Sequence, residues 1–456
     1  MKRRRSQRTL LLEACLGLVL LITRPAPAGD VLADYVTKAD SSYDWSKRSE
    51  GRYRDVSYVE LILTSQTWRD IEWRHQLYII RPDKLNPDSR HALLLIYKGK
   101  WRSRLERPPV DERLPSNVEL FRQIANRMQT PVAIVRQVPY QPMFDGMTED
   151  TIIAHTFDQF LQTGDSSWPL LLPMVKASVR AMDAVQDFTA QQWAIEIDTF
   201  TVTGASKRGW TAWLTAAADA RVTAVAPMAF DVLDIKSQLN HQKAVWGDLS
   251  SELSDYGDLD LPDRLSSDAG RALLEIVDPY SYRERLTQPK LIIVGTNDPY
   301  WPLDALNLYW DDLLGPKYVL YVPNNVHSLD DYRRLIASVN ALHRHATNGE
   351  ALPQLTSRCN APAERLILRA WSDTKPSKIR AWTATSPTRD FRNARWKSTP
   401  IRRTGDVYVF GLERPQSGYM AVFGELWFGD GRTAYSLSTN VCIAAGMVDS
   451  ELMDRR

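Results

Sequence analysis

The stretch "FTVTGASKRGW", residues 200–210, runs from a β-branched strand through a sharp turn into a helix start. Gly204 permits the tight turn and Ser206 stands at its apex. A turn serine alone says little. Its hydroxyl becomes a nucleophile only with a base in hydrogen-bond reach and an acid that orients the base. What matters is therefore which groups the neighbouring strands bring beside it.

Working outward, "VSYVELILTS" (56–65) and "QLYIIR" (76–81) read as opening strands, and "HALLLIY" (91–97) as a strand covered on both faces. "SNVELFRQIANRMQ" (116–129) follows as a helix, with Ser116 and Glu119 at capping-box spacing. Then come "PVAIVRQV" (131–138), a helix containing "MVKASVRAMDAVQDF" (174–188), and the opening strand. "RVTAVAPMAF" (221–230), "PKLIIVGTND" (289–298) and "KYVLYVPN" (317–324) complete the strand series. A last helix has Ser328 and Asp331 at capping spacing and Gly349 as its stop. Apolar strands alternating with amphipathic helices predict an α/β fold with a mainly parallel sheet. The polar, fairly acidic, partly helical segment 231–278 interrupts the alternation and reads as an inserted lid. From about residue 355 the period changes to two. "RLILRAW", "KIRAWTATS", "DVYVFGLE", "GYMAVFGELWF" and "TAYSLSTNVCIA" predict a C-terminal antiparallel β-sandwich over 351–456, of immunoglobulin or fibronectin type.

Three side chains then fall into order. Ser206 follows its strand, Asp298 ends "LIIVGTND", and His327 follows "YVLYVPNNV". Serine, acid, histidine is the chain order of an α/β-hydrolase, each group at the carboxyl end of a parallel strand. Asp231 and Asp234 are alternatives for the acid. The usual elbow is G-x-S-x-G, but Arg208 holds the second-glycine position and Gly209 comes one later. The arginine is expected to point outward, or the turn to open slightly. The resulting G-x-S-basic-x-G pattern resembles that of glucuronoyl esterases.

Oxyanion donors are expected from the backbone N–H of Lys207 and from Gly99 and Lys100 in the loop after "LLLIY". Lys98, Lys100 and Lys207 read either as attractors of an anionic substrate or as solvated rim lysines. Trp101, Trp210 and Tyr300–Trp301 are candidate walls of a substrate pocket, with core packing the competing explanation. His241 lies in the expected lid, from which it could reach the site, with a polar surface residue the simpler reading. His343 and His345, two apart, cannot share a helix face, and His75, His91 and His155 have no informative neighbours. No zinc spacing, G-x-G-x-x-G or P-loop is evident, so no cofactor or metal is expected.

Composition adds bounds. The 456 residues are 44% apolar and 25% charged, with formal net charge +2, which gives no global field for nucleic acid. Residues 1–28 have a secretory layout: basic Lys2 to Arg8, an apolar run, and "APA" before Gly29. The run is short for a membrane span and Glu13 interrupts it. A retained anchor stays open, while a lipoprotein box at Cys15 and a twin-arginine signal fit less well. Export would leave Cys359 and Cys442, either paired or as two buried thiols.

The chain also resembles the PhoPQ-activated pathogenicity-related protein family of exported bacterial proteins. The matching stretches include "DYV" (34–36), "VPYQPMFDG" (138–146), "EDTIIAHTFDQFLQTGDSSWPLLLPMVKASVRAMDAVQ" (149–186) and "VTGASKRGWTAWLTAAADARVTAVAPMAFDVLD" (202–234). They continue with "DPYSYRERLTQPKLIIVGTNDPYW" (278–301) and "LLGPKYVLYVPNNVH" (313–327). The resemblance implies an α/β-hydrolase-like domain over 29–350, a periplasmic or secreted location, and a link to virulence or cationic-peptide resistance. It implies no settled substrate. Taken with the residues, it predicts an exported serine hydrolase acting on an ester or amide in a small-molecule, glycan or peptide substrate. The alternatives are a weakly active or inactive hydrolase-fold binding protein acting through its sandwich, and a peptidase of the prolyl-oligopeptidase kind.

Overall fold

A computed structural model of the chain describes residues 30–107, 117–362 and 364–448. The expected leader with Cys15, the cut before Gly29, and Ser116 of the expected capping box lie outside the described residues.

The first part of the chain supplies β1 (Asp44–Tyr53), β2 (Val56–Trp68), β3 (Ile71–Pro82), β4 (His91–Ile96) and β5 (Val132–Val135). These are followed by β6 (Thr199–Ala205), β7 (Val222–Met228), β8 (Lys290–Gly295) and β9 (Lys317–Val322). Their spatial order is β1-β2-β3-β5-β4-β6-β7-β8-β9. The first four in that order run antiparallel, and β5 to β9 are parallel throughout. This is the α/β-hydrolase arrangement with one added edge strand, β1.

The parallel strands are apolar on both faces because helices cover both. In β4, Ala92, Leu94 and Ile96 pack into one core while Leu93 and Leu95 pack into the other. The helices Leu171–Trp193 and Lys207–Ala218 bury Met174, Val185 and Trp213 in the first core. The helices Val118–Met128 and Tyr332–Asn348 bury Phe121, Leu335 and Leu342 in the second. The last of these differs from expectation at its start. Asp331, not Ser328, is its cap, accepting the Arg334 N–H at 3.2 Å. Asn325 accepts the N–H groups of Asp330 and Asp331, so the chain stays in a turn until Tyr332. Among the described residues no helix is long and apolar enough to cross a membrane.

Between β7 and β8 the insertion folds into the helices Ile235–Trp246, Ser254–Gly257, Leu261–Arg264 and Asp268–Val277, beyond the carboxyl end of the sheet. After β9 come β10 (Leu355–Asn360), β11 (Arg365–Ser372), β12 (Lys378–Ser386), β13 (Lys397–Pro400) and β14 (Arg402–Thr404). The series ends with β15 (Val407–Glu413), β16 (Tyr419–Phe428), β17 (Tyr435–Ser438) and β18 (Cys442–Ala445). They form two antiparallel layers, with Leu366 and Leu368 of one against Met420 and Val422 of the other. "TAYSLSTNVCIA" is not one strand. It breaks into β17 and β18, which pair with opposite ends of β16.

One layer is β10-β11-β15-β14. The other is continuous with the central sheet, because β17 pairs with β9 at Ser438 and Val319 and makes the whole a 14-stranded sheet. The Ser438 hydroxyl also accepts the Tyr321 N–H at 3.0 Å.

Cys359 on β10 and Cys442 on β18 are joined in a disulfide, with Cα atoms 6.2 Å apart. The bond ties one layer to the other across a sequence separation of 83 residues. Closing a loop of that length in the unfolded chain corresponds to about 4.5 kcal/mol by loop entropy. Replacing both cysteines with serine should therefore lower the urea midpoint clearly. The same reducing agent that shifts the native protein should leave the double variant unmoved.

Candidate active site at the carboxyl edge of the sheet

The elbow explains why a half-buried serine can stand at a cavity at the end of a buried strand. Ser206 adopts φ 59° and ψ −131°, a conformation side chains rarely take. Its N–H bonds to the Met228 carbonyl at 2.8 Å on the next strand. A Cβ on Gly204 would lie 2.5 Å from the Arg208 carbonyl oxygen, and one on Gly209 would lie 2.8 Å from that of Met228. The close contact that excludes a side chain therefore falls at residue 209.

That placement corrects the expectation for Arg208. The turn has not opened and the arginine does not point outward: it is 5% exposed. Its Nε donates to the Val138 carbonyl at 2.5 Å, and Nη1 and Nη2 grip the Glu149 carboxylate at 2.7 and 2.9 Å. Lys207 is buried too, with Nζ 2.9 Å from Glu149 and 2.8 Å from Asp150. It is neither a rim lysine nor an unpaired cation, whereas Lys98 and Lys100 are exposed. Burial raises the Glu149 carboxyl, but the bonds from Arg208 and the charges of Arg208 and Lys207 outweigh it and hold the group well below the usual range.

Gln141 extends this network. Its Nε2 donates to Glu149 at 2.7 Å and to the Gly99 carbonyl at 2.9 Å, while its Oε1 accepts the Glu149 N–H at 2.8 Å. The loop carrying Gly99, Lys100 and Trp101 is thereby tied to the elbow. Sequence reading missed Glu149 and Gln141. The available signal was that two adjacent basic residues beside a buried turn need carboxylate partners, and "ED" at 149–150 supplies two.

Asp298 and His327 meet at the ends of β8 and β9. His327 Nδ1 lies 2.8 Å from Asp298 Oδ2, and Asp298 Oδ1 accepts the Tyr300 N–H at 2.9 Å. The Tyr300 ring lies against the imidazole, with centroids 4.2 Å apart. His327 Nε2 is buried and has no hydrogen-bond partner among the described residues. Pro299 follows the aspartate directly. Its carbonyl accepts the Ser250 hydroxyl at 2.7 Å, and that of Tyr300 accepts Gln242 Nε2 at 2.6 Å, so the insertion holds this loop. From the C-terminal side, Asn297 Nδ2 donates to the carbonyls of Arg392 and Ala394 at 3.0 and 2.7 Å.

Ser206 and His327 line one cavity of about 100 Å³, together with Lys207, Trp210, Tyr300 and Trp301. Gly99, Lys100 and Trp101 do not line it. Trp101 packs near Tyr140, with ring centroids 6.2 Å apart, beside a different groove. Trp210 stacks on Phe230 at 5.0 Å and donates its Nε1–H to the Val277 carbonyl.

The remaining candidates take other places. Asp231 is buried next to Asp298, both lining a small space of about 10 Å³, and no histidine among the described residues lines that space. Burial, then the Asp298 charge, push its carboxyl up to about 7. Asp234 opens an insertion helix, where its N–H and that of Ile235 bond to the Asp278 carboxylate. His241 is not a surface residue but a half-buried partner of Asp304 at 2.9 Å, which Arg389 also contacts. His343 is buried between Thr130 and Thr201, with its ring 4.8 Å from His91. His75 bonds to Ser65 and the Arg136 carbonyl, His155 packs on Phe144, and His345 bonds to the Glu350 carbonyl.

The sequence profile of the family described as "PhoPQ-activated pathogenicity-related protein" matches residues 32–392. The chain belongs to this family. The chain is also similar to the autocrine proliferation repressor protein A of Dictyostelium discoideum, 29% identical over 433 residues, covering 86% of this chain and 85% of that one. Among solved structures, acetyl xylan esterase 1 from a Thermoanaerobacterium species superposes with a TM-score of 0.47 at 16% identity, over 69% of this chain and 92% of that one. A glucuronoyl esterase from Solibacter usitatus gives a TM-score of 0.38 at 12% identity, over 69% and 91%.

Two predictions follow from the buried charges in this family member. Arg208→Ala removes the bidentate partner of half-buried Glu149, which keeps Lys207 and Gln141, and should cost about 1.5–3 kcal/mol of stability, read from urea denaturation; a loss near zero would contradict the account. For Asp231 the folded value lies above the unfolded one, so the native state binds the extra proton between about pH 4 and 7. Stability from this group is greatest below that window and declines as pH rises through it. Asp231→Asn should flatten that decline in denaturation midpoints taken at pH 4.5 and 7.5.

Proposed function

We propose that the protein is a serine hydrolase that cleaves an ester or amide through Ser206, His327 and Asp298. The observation that carries this reading is the presence of the strained Ser206 and the unpartnered Nε2 of His327 on one cavity, with Nδ1 of the same ring engaged by Asp298. With Nδ1–H donated to the carboxylate, Nε2 is the nitrogen that takes a proton. Ser206 Oγ attacks the substrate carbonyl carbon as Nε2 removes its hydrogen. Asp298 orients the ring and stabilises the imidazolium.

The negative charge that develops on the carbonyl oxygen needs fixed donors. Lys207 begins the helix Lys207–Ala218, so its N–H has no intrahelical partner, and we assign it as one donor. The N–H groups of Gly99 and Lys100 are the proposed source of the second, held through Gln141 to the elbow network. Collapse of the tetrahedral intermediate expels the alcohol or amine, which takes the imidazolium proton. Water then attacks the acyl-serine by the same route, regenerating the hydroxyl and releasing the acid. We place Trp210 and Trp301 at the substrate. We place the protein in the periplasm or outside the cell, on the strength of its leader-like first 28 residues and its membership of a pathogenicity-related family.

A fluorophosphonate probe should label the wild-type protein, and Ser206→Ala should abolish labelling. His327→Ala should lower turnover of any ester substrate by about 10⁴-fold or more. A wild type that resists the probe and turns over no ester or amide would leave a binding protein on a hydrolase scaffold. Equal labelling of wild type and Ser206→Ala would remove Ser206 from the mechanism.

A further inference from the structure

The cavity beside Ser206 has walls that say more than its catalytic rim does. One side comes from the sheet edge and its helices: Phe157, Trp210, Phe230 and Trp301. The other comes from the insertion: Ile235, Leu239, Leu253, Leu261 and Leu265. These insertion side chains stand at positions interspersed among polar ones and turn inward together, which is why a segment polar in composition makes an apolar wall.

Apart from the catalytic candidates Ser206 and His327, the charged groups at this cavity are already satisfied by one another. Lys207 is shared between Glu149 and Asp150, and Arg208 completes the neutralisation of Glu149. The Tyr256 hydroxyl donates to Asp150 at 3.0 Å, and the Trp210 N–H is taken by the Val277 carbonyl. Two cations thus face two carboxylates, and none of these groups is left over for a substrate charge. A carboxylate or ammonium entering here would lose its hydration and gain no partner, and a sugar would strand its hydroxyls against leucines and aromatics. A hydrocarbon chain loses nothing of that kind and gains the burial of its own surface.

We infer that this cavity is an acyl pocket for a neutral, apolar acyl group, with the 231–278 insertion as its specificity wall. The inference rests on the hydrolase reading above and adds the substrate class to it. Size limits the length: at about 100 Å³ the cavity takes a short acyl chain of a few carbons and not a long one.

The test is a series of p-nitrophenyl esters from acetyl to dodecanoyl, with the hemisuccinate as a charged member. The ratio kcat/KM should rise about three- to fourfold per added methylene from acetyl, giving at least a tenfold preference for hexanoyl, and then fall for the longest chains. Leu239→Trp, with Leu253→Trp as a second variant should the first not fold, should move the optimum to shorter chains and cut the hexanoyl value at least tenfold. An acetyl optimum, or preference for the hemisuccinate over butanoyl, in a protein that still reacts with fluorophosphonate would overturn the acyl pocket and leave the hydrolase reading intact. If no ester is turned over and no label forms, the hydrolase reading falls, and binding decides the pocket separately. Saturation-transfer NMR should then show hexanamide bound to wild type and lost in Leu239→Trp, with acetamide unbound; absence of hexanamide binding would overturn the pocket as well.

Discussion

The constraint on which the site depends is a backbone held where side chains rarely go. Ser206 sits at φ 59°, ψ −131°, a conformation that costs about 1–3 kcal/mol and survives only where its surroundings over-determine it. Here they do so in three ways. Gly204 and Gly209 let the helix press onto the strand with no Cβ between, the serine N–H is tied to the next strand through Met228, and Arg208 anchors the first helical turn to Glu149. Relax any one and the serine sinks toward ordinary helix geometry, and its hydroxyl turns away from the cavity.

Glu149 repeats the device. It has φ 57°, ψ −128° and also stands immediately before a helix, Asp150–Thr163. The strained Glu149 is thus linked to the strained elbow through Arg208, two residues after the serine, whose guanidinium grips its carboxylate at 2.7 and 2.9 Å. Arg208 is buried and Glu149 half-buried, so the attraction is partly screened while desolvation of the guanidinium is costly; the worth of the pair lies in fixing geometry more than in net stability. Gln141 passes the constraint on to the loop after β4, which makes the elbow and the loop opposite one rigid unit.

What could be read in advance follows from what each element faces. Strands β4, β6, β7, β8 and β9 are buried on both sides, so their apolar runs are unambiguous, and Ser206, Asp298 and His327 could be placed at their ends. Strand β1 was not legible: as an edge strand with exposed faces, "DWSKRSEGRY" carries no apolar alternation. Nor was the partner of Arg208, because an ion pair across 59 residues leaves no periodic trace. The Cys359–Cys442 bond depended on two strands in different layers coming within reach, which spacing alone does not reveal. Trp101 resembled a pocket wall by its nearness to the oxyanion loop, yet the chain turns after Lys100 and carries the ring toward Tyr140.

The C-terminal strands take their meaning from the edge they cover. Without them β9 would end the parallel sheet with its outer row of N–H and C=O groups exposed, an invitation to pairing with other chains. Strand β17 meets it at Val319, and the Ser438 hydroxyl takes the Tyr321 N–H. The loop after β12 then reaches back over the sheet end, where Asn297 donates to the carbonyls of residues 391, 392 and 394, and Asn324 exchanges hydrogen bonds with Trp396. Asn297 precedes Asp298, and Asn324 lies three residues before His327. The two loops whose side chains must stay 2.8 Å apart are therefore fastened to a segment outside the hydrolase sheet, and the C-terminal layers share in positioning a site to which they contribute no lining residue.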